Sequence, residues 1–324
     1  MPPVGYGMTI PFDGIALSDH RQWIEELASL GYTDVWSSES DGTDGFTPLA
    51  LASAWSQGLR LGTAIIPVFT RGPALIAQSA AALAEAAPGR FVLGIGTSSD
   101  VIVGRWNGTE FDRPYQRTRD MVRFLRAALA GEKVDAEFET FSVRGFRLGR
   151  PPEVLPPILV AALRPGMLRL AGLEGDGAII NWLSADDVTR VVAEVGPGKE
   201  IVARVFVYPS DDRDAAYAVG RRIIAGYLNV PVYADFHRWL GRGPQLEGMW
   251  QAWRAGDRRA ALAAIPESVV DELVLHGDPA RLREGVERYR ANGVTTVALK
   301  VETAGGIDLR RALRELAPAP RNGS

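Results

Sequence analysis

Short apolar runs recur along the chain, and each is followed by a longer stretch whose apolar residues return with helical spacing. Runs that are apolar on both faces are typical of parallel strands buried under helices. Eight such units predict an α/β fold, a (β/α)8 TIM barrel, whose functional residues follow the carboxyl ends of the strands. The predicted strands cover residues 5–10, 34–38, 60–66, 91–96, 157–163, 177–182, 201–208 and 294–301.

Two segments break this alternation of strands and helices. Residues 132–149 alternate in period two around an Arg-Gly turn, which predicts an inserted hairpin. Residues 229–267 hold aromatic pieces with helical or loop character. We expect both to be insertions in one barrel domain that covers residues 1–317 and is followed by a flexible C-terminal tail at 318–324.

Composition and charge narrow the range of partners. The 324 residues are 46% hydrophobic and 23% charged, as expected of a globular protein with a large core. The net charge of -3 argues against a nucleic-acid or membrane-surface binder, so a small-molecule partner is expected. Cysteine is absent, which excludes a thiol nucleophile and a disulfide and fits a reducing cytoplasm. Neither a signal peptide nor a membrane span is expected from the sequence.

The sequence offers little catalytic chemistry of its own. His20, His237 and His276 are far apart, so a metal site is not expected. His20 is predicted to be a surface or helix-face residue of the first helix, and His276 to be structural because it precedes a turn. No Gly-x-Ser-x-Gly motif is present, and the Gly94-Ile95-Gly96 segment lacks the rest of a dinucleotide-binding fingerprint. A site with so few reactive groups suggests that a bound cofactor carries the reaction.

Four stretches, taken together and in order, resemble the bacterial luciferase-like family, and most closely its branch that uses the deazaflavin coenzyme F420. They are residues 31–40, 60–73, 89–115 and 157–177, and the likeness runs from about residue 5 to residue 301. The second strand ends with Glu39, where the family usually has an acidic residue, but Ser40 stands where relatives usually have histidine.

The resemblance implies a cofactor cradle at the barrel mouth. The third strand would end in a non-proline cis peptide between Ala64 and Ile65, and Thr97 and Ser98 would lie along the pyrimidine side of the cofactor ring. The fourth stretch would bind the cofactor phosphate. Its residues suit an anion, since Pro165 can start a helix whose free amides point outward beside the positive charge of Arg164. The implied set is Glu39, Thr63, Ala64, Ile65, Gly96, Thr97, Ser98, Ala162, Leu163, Arg164, Pro165, Gly166 and Met167.

The activity implied by the resemblance is hydride transfer between F420 and a small organic substrate by an oxidoreductase without a metal. Ser40 cannot act as an acid or base near neutral pH, so Glu39 is the predicted catalytic residue. Candidates for the substrate wall are the aromatic residues Phe12, Phe46, Phe69, Trp106 and Trp182.

Two other functions stay open from the sequence. One is an FMN-dependent luciferase-like monooxygenase, and the other is a barrel that binds F420 or another ligand without turnover. The resemblance also implies a homodimer, because barrels of this family often pair. Substrate and direction of hydride transfer are not indicated by the sequence.

Overall fold

Eight parallel strands close into a ring in the computed structural model, which describes residues 4–318. The strands are β1 Gly5–Ile10, β2 Asp34–Ser37, β3 Arg60–Thr63, β4 Ile66–Pro67, β5 Phe91–Gly96, β6 Val134–Glu137, β7 Ser142–Phe146, β8 Ile158–Ala161, β9 Gly177–Asn181, β10 Glu200–Tyr208, β11 Val274–His276 and β12 Thr296–Val301. The order around the ring is β1, β2, β3, β5, β8, β9, β10 and β12, which then pairs with β1. This confirms the predicted (β/α)8 barrel.

Helices cover the outer face of the ring, and the main core lies between them and the strands. They are α1 Arg21–Ser29, α2 Thr47–Trp55, α3 Pro73–Ala86, α4 Pro114–Leu129, α5 Pro165–Leu173, α6 Val188–Val195, α7 Arg213–Leu228, α8 Pro231–Leu240, α9 Gly243–Arg254, α10 Arg258–Ala263, α11 Glu267–Leu273, α12 Pro279–Ala291 and α13 Leu309–Glu315. A π-helical segment covers Val101–Trp106. Apart from Pro318, the predicted C-terminal tail lies outside the described residues.

The inserted hairpin is present as the antiparallel pair β6 and β7, but its turn was predicted in the wrong place. The chain reverses at residues 138–141, and the Arg-Gly pair lies inside β7. There Gly145 has a φ of 63°, and the register between the two strands shifts beside it. The pair therefore forms a bulge, because glycine accepts a left-handed backbone in a strand as readily as in a turn.

The segment predicted as helical or loop pieces folds into the helices α8 to α11, followed by β11, a strand that was not predicted. β11 pairs with the last residues of β10, since Phe206 lies opposite Val274 and Tyr208 opposite His276. Three residues are too few for a periodic pattern to reveal a strand. β10 thus extends beyond its neighbour β9 and carries the insertion on its carboxyl half.

The amino-terminal half of the barrel interior is filled by an ion-pair cluster. Both Nη groups of Arg60 donate to the carboxylate of Glu200, at 2.6 and 2.7 Å, and Nη1 also lies 3.5 Å from Asp34. Burial, the largest effect, raises the pKa of Asp34. Above this cluster lies the indole of Trp36, which leaves no room for a Cβ at Gly62. The ends of the strands beyond Trp36, at their carboxyl side, form the barrel mouth.

Candidate functional site

Glu39 follows β2 at the mouth, and its carboxylate is fully engaged. Arg71 donates to Oε1 from Nε at 3.0 Å and to Oε2 from Nη2 at 2.8 Å. The backbone amide of Gly45 donates to Oε2 at 3.0 Å, and the amide of Glu39 itself donates to the carbonyl of Ile65 at 3.2 Å. Glu39 therefore joins the loop after β2 to the segment after β3. This geometry favours a positioning role, and proton transfer by Glu39 stays a prediction.

The strand β3 ends in the backbone feature that the resemblance implied, a cis peptide between Ala64 and Ile65. Thr63 just before it is buried, and its hydroxyl donates to the carbonyl of Gly94 and accepts from its amide, both at 2.8 Å. Thr63 is thus occupied within the barrel wall. A Cβ at Gly94 would lie 1.9 Å from the carbonyl oxygen of Thr63, so the two strands approach each other as closely as only glycine permits.

The segment after β5 brings Thr97 and Ser98 to the same end of the barrel as the cis peptide. Both residues are half-buried, and Ser98 has a left-handed backbone with a φ of 61°. The π-helical segment follows at once, and segments of this kind are frequent at functional sites. Gly96 before them has no space for a side chain, because a Cβ would lie 2.8 Å from the Cβ of Ala161.

Helix α5 begins at the mouth with Pro165, as predicted. The amides of Gly166 and Met167 have no hydrogen-bond partner within residues 4–318, as is usual in a first helical turn, and they remain available to an anion. The side chain of Arg164 is half exposed, and its Nη1 lies 3.1 Å from Oδ2 of Asp235 on α8. Ala162 is buried, whereas Leu163 is half-buried.

The five predicted wall aromatics make separate contacts. Among the described residues no two of these rings stack on each other, and their role as a substrate wall stays a prediction. Trp106 is 56% exposed, whereas Trp182 is buried. The partners are His20 and Trp23 for Phe12, Arg71 for Phe46, Phe111 for Phe69 and Phe206 for Trp182.

Trp182 has an uncommon backbone at the end of β9. Its φ is 55°, a left-handed value that a bulky side chain rarely adopts. The indole stacks on Phe206 with 4.0 Å between the ring centroids. Packing of the ring therefore holds the conformation and fixes the path of the chain where β9 leaves the barrel.

Four polar residues of the mouth were missed by the sequence analysis: Asn181, Arg204, Lys300 and Glu302. They belong to the side of the barrel formed by β9, β10 and β12. Lys300 forms an ion pair with Asp13. Burial, the largest effect, raises the pKa of Glu302, and the nearby Lys300 opposes this. The sequence did carry a signal for them, because charged residues an even number of positions apart in an apolar strand, such as 200 and 204, lie on the same face.

The predicted surface position of His20 was wrong. Only 2% of this residue is exposed, and its Nε2 accepts the amide of Phe12 at 2.8 Å while Nδ1 lies 2.9 Å from the carbonyl oxygen of Ala16. His20 therefore fixes the loop after β1. A helix end folded back on its own loop buries a residue that helical spacing alone assigns to solvent. His276 is buried with Nε2 2.7 Å from Asp271, in agreement with the predicted structural role.

His237 is fully buried in α8, and neither ring nitrogen has a hydrogen-bond partner among residues 4–318. Burial, and then Arg242, lowers its pKa from 6.5 to about 3. At pH values between these two pKa values, the imidazole binds a proton in the unfolded chain but not in the folded chain. The free energy of unfolding therefore decreases as the pH falls through this range. We expect wild-type protein to lose about 2 kcal/mol of unfolding free energy relative to His237→Phe between pH 7 and pH 5. Urea unfolding at both pH values measures this, and an equal change in both proteins would contradict it.

Residues 4–318 contain no competing site. No group of three or more histidine or acidic side chains among them is placed to hold a metal, and none of their helices is long and apolar enough to cross a membrane. A cavity of about 160 Å³ lies between β11 and α12, and one of about 300 Å³ lies beside it against residues 184–186. Their arginines face carboxylates, as Arg288 faces Asp186 at 2.9 Å. The barrel mouth is therefore the candidate site.

Comparison with known proteins shows which family the chain resembles along its length. The sequence profile of luciferase-like monooxygenases matches residues 4–296. An F420-dependent glucose-6-phosphate dehydrogenase of Rhodococcus erythropolis is 31% identical over 333 residues, which is 95% of this chain and 89% of the relative. A 5,10-methylenetetrahydromethanopterin reductase of Archaeoglobus fulgidus is 25% identical over 290 residues, 85% of this chain and 87% of the relative.

A solved structure shares the fold along the whole chain. The coenzyme F420-dependent tetrahydromethanopterin reductase of Methanopyrus kandleri superimposes with a TM-score of 0.79. The alignment covers 98% of each chain at 19% sequence identity. At this identity the likeness concerns the fold, and it agrees with the closed barrel described above.

Proposed function

Because the chain belongs to the luciferase-like monooxygenase family, we propose that it is a coenzyme F420-dependent oxidoreductase that transfers hydride between the cofactor and a small organic substrate. The observation that carries the proposal is the relative from Rhodococcus erythropolis, which is named for its dependence on F420 and is similar over 95% of this chain. The predicted homodimer belongs to the same proposal.

The mouth has features that fit a flat, polar ring with a phosphate-bearing tail. Buried polar atoms without a partner among residues 4–318 include Nε1 of Trp36 and Oγ1 of Thr70. Such atoms are costly unless a ligand or water satisfies them. The free amides of Gly166 and Met167 lie at the amino end of a helix, where the backbone dipole favours an anion.

Each part of the cradle has a defined task in this proposal. The segment 63–65 and the loop with Thr97 and Ser98 hold the ring, and the start of α5 with Arg164 holds the phosphate. When bound, F420 supplies a two-electron hydride carrier. Arg71 and Glu39 keep the surrounding loops in place, so the chain contributes position and electrostatics rather than a nucleophile.

The proposal is tested by titrating the purified protein with F420 and with FMN and following the fluorescence of each. We expect F420 to bind at least about tenfold more tightly, and Arg164→Ala to weaken F420 binding by about tenfold because one charge-assisted contact is lost. Arg169→Ala is the matched control, since Arg169 lies on the same helix but pairs with Glu194.

Two outcomes would count against this function. Tighter binding of FMN, with oxygen consumed on reduction, would identify the monooxygenase alternative. Tight F420 binding without oxidation or reduction of the cofactor by any compound of an alcohol and carbonyl panel would favour a barrel that binds without turnover. Equal F420 affinity in Arg164→Ala and Arg169→Ala would remove Arg164 from the phosphate site.

A further inference from the structure

Arg204 lies in the middle of β10, and its side chain faces the barrel interior. Val202, two positions earlier on the same strand, packs with Trp36 and other apolar side chains inside the barrel. Glu200, four positions earlier, binds Arg60 inside the barrel. Because side chains alternate along a strand, Arg204 shares their face. It lies one step nearer the mouth than Val202, and its register neighbours are Asn181 on β9 and Ala298 on β12.

The guanidinium of Arg204 makes no hydrogen bond and no ion pair with any residue within 4–318, and its Cζ lies 5.1 Å from the ring centroid of Phe206. Every other buried or half-buried arginine of this range donates to at least one oxygen. Buried Arg242, for example, donates to Glu272 at 2.7 Å, and Arg117 donates to the carbonyl of Val68 at 3.1 Å. Nε of Arg204 is completely buried, whereas its Nη groups keep accessible surface toward the mouth.

The amide of Asn181 extends this unsatisfied surface. Its Nδ2 donates to the hydroxyl of Tyr233 at 3.3 Å, and its Oδ1 is buried without a partner among the described residues. Asn181 and Arg204 are paired in register on adjacent strands, so their side chains leave the barrel wall side by side. Arg204 therefore presents a planar cationic fork, and Asn181 presents a hydrogen-bond acceptor beside it.

No carboxylate of the described chain forms an ion pair with Arg204. Lys300 is already paired with Asp13. Burial raises the pKa of Glu302, and the charges of Lys300 and Arg204 oppose this shift, but Glu302 makes no salt bridge with Arg204. Below Arg204, Glu200 is engaged by both Nη groups of Arg60. The guanidinium of Arg204 therefore has no carboxylate in direct contact at the inner end of the mouth.

We propose that Arg204 forms a subsite for the carboxylate group of the substrate, and that the free amide oxygen of Asn181 beside it accepts a hydrogen bond from the same substrate. The planar fork of one arginine matches a planar, singly charged anion, which it can bind through two parallel hydrogen bonds. A phosphate dianion carries more charge than one guanidinium balances, and the nearby Lys300 is already paired with Asp13. The inference rests on the proposed function for the identity of the mouth as the substrate site, and it adds the class of substrate, a small carboxylic acid.

An unpaired guanidinium in a barrel interior is expected to reduce stability, because the desolvated charge is not compensated. In a ligand site this cost is offset when the substrate binds, because the substrate supplies the missing counter-ion. Replacing an arginine with a purely structural role would instead lower stability, because its hydrogen bonds and ion pairs would be lost. Stability and binding are therefore expected to change in opposite directions when Arg204 is replaced.

The test uses three pairs of probes that differ in charge but little in shape: acetate and acetamide, isobutyrate and isobutyramide, and benzoate and benzamide. Calorimetry at pH 7.5 on the purified protein, with and without bound F420, measures their affinities. We expect at least one carboxylate to bind about tenfold more tightly than its amide in the wild type. The preference should disappear in Arg204→Met and persist in part in Arg204→Lys. Arg222→Met, a change at an exposed residue of α7 near Glu302, is the control that keeps it.

Thermal unfolding gives the second readout, and we expect an equal or higher Tm for Arg204→Met. A lower Tm with an unchanged carboxylate preference would overturn the subsite, as would the absence of a preference in all three wild-type pairs. Weaker binding of F420 to Arg204→Met, with unchanged binding of the deazaflavin chromophore without its phosphate, would overturn it as well by assigning Arg204 to the cofactor tail. A carboxylate preference in a protein that does not bind F420 would leave the subsite standing and refute the proposed function.

Discussion

Replacing Arg60 with methionine is expected to lower the free energy of unfolding by about 3–5 kcal/mol. The change removes the only cation that contacts Glu200 and Asp34 among the described residues, and both carboxylates stay buried in the barrel interior. Glu200 accepts two hydrogen bonds from Arg60 and one from Thr296, so most of its acceptor capacity depends on the arginine. Urea unfolding at pH 7 measures the loss.

The control for this prediction is the double variant Arg60→Met/Glu200→Met. Breaking a buried pair by removing one partner leaves an uncompensated charge, whereas replacing both partners by apolar side chains is often close to neutral. We therefore expect the double variant to be more stable than Arg60→Met alone. A double variant that is less stable than the single one would show that packing of these side chains, and not their charge, dominates.

Replacing Gly94 with alanine is expected to cost about 3 kcal/mol of stability and to weaken F420 binding by at least about tenfold. The new Cβ would lie 1.9 Å from the carbonyl oxygen of Thr63 and 2.4 Å from Cδ1 of Ile179. The nearer atom belongs to the backbone of β3, directly before the Ala64–Ile65 segment, so β3 and β5 must separate where the cofactor ring is proposed to bind. Urea unfolding and F420 fluorescence titration measure the two effects.

Gly172→Ala is the matched control, because its Cβ would lie equally close, at 1.9 Å, to the carbonyl oxygen of Val195. Gly172 lies near the end of α5, away from the mouth. We expect the Gly172→Ala variant to lose a similar amount of stability but, under conditions where it remains folded, to bind F420 with wild-type affinity. If both variants lose F420 binding in proportion to their stability, Gly94 has no specific part in the cradle.

The barrel could be predicted from the sequence because its strands are buried on both faces. Each one appears as a short apolar run, and the predicted bounds of β1 and β5 agree with the structure at both ends. Local elements were harder to predict. Gly145 indicated a left-handed backbone, but such a residue occurs in a bulge as well as in a turn. Only the pairing of the two strands decides between them.

The sequence analysis predicted some residues of the site and missed others, and the difference depends on how far apart in the sequence the interacting residues lie. Residues close together in sequence, such as the start of α5 and the Ala64–Ile65 peptide, were found through local motifs. The ion pair of Glu39 with Arg71 joins positions 32 residues apart, and no local pattern indicates it. Arg204 was missed for a different reason, since only the three-dimensional surroundings show that a charged residue has no partner.

The pairing of β1 with β12 has a consequence for how the chain reaches its fold. Gly5 lies opposite Thr296, so the ring is sealed by residues about 290 positions apart. At typical rates of synthesis, about 15–60 s pass between the emergence of the first strand and that of the last. During this time β1 exposes an unpaired edge and an apolar face, which favours association with other chains. We therefore expect the yield of folded protein in a host cell to depend on chaperones that shield nascent chains, and to fall sharply for chains truncated before β12.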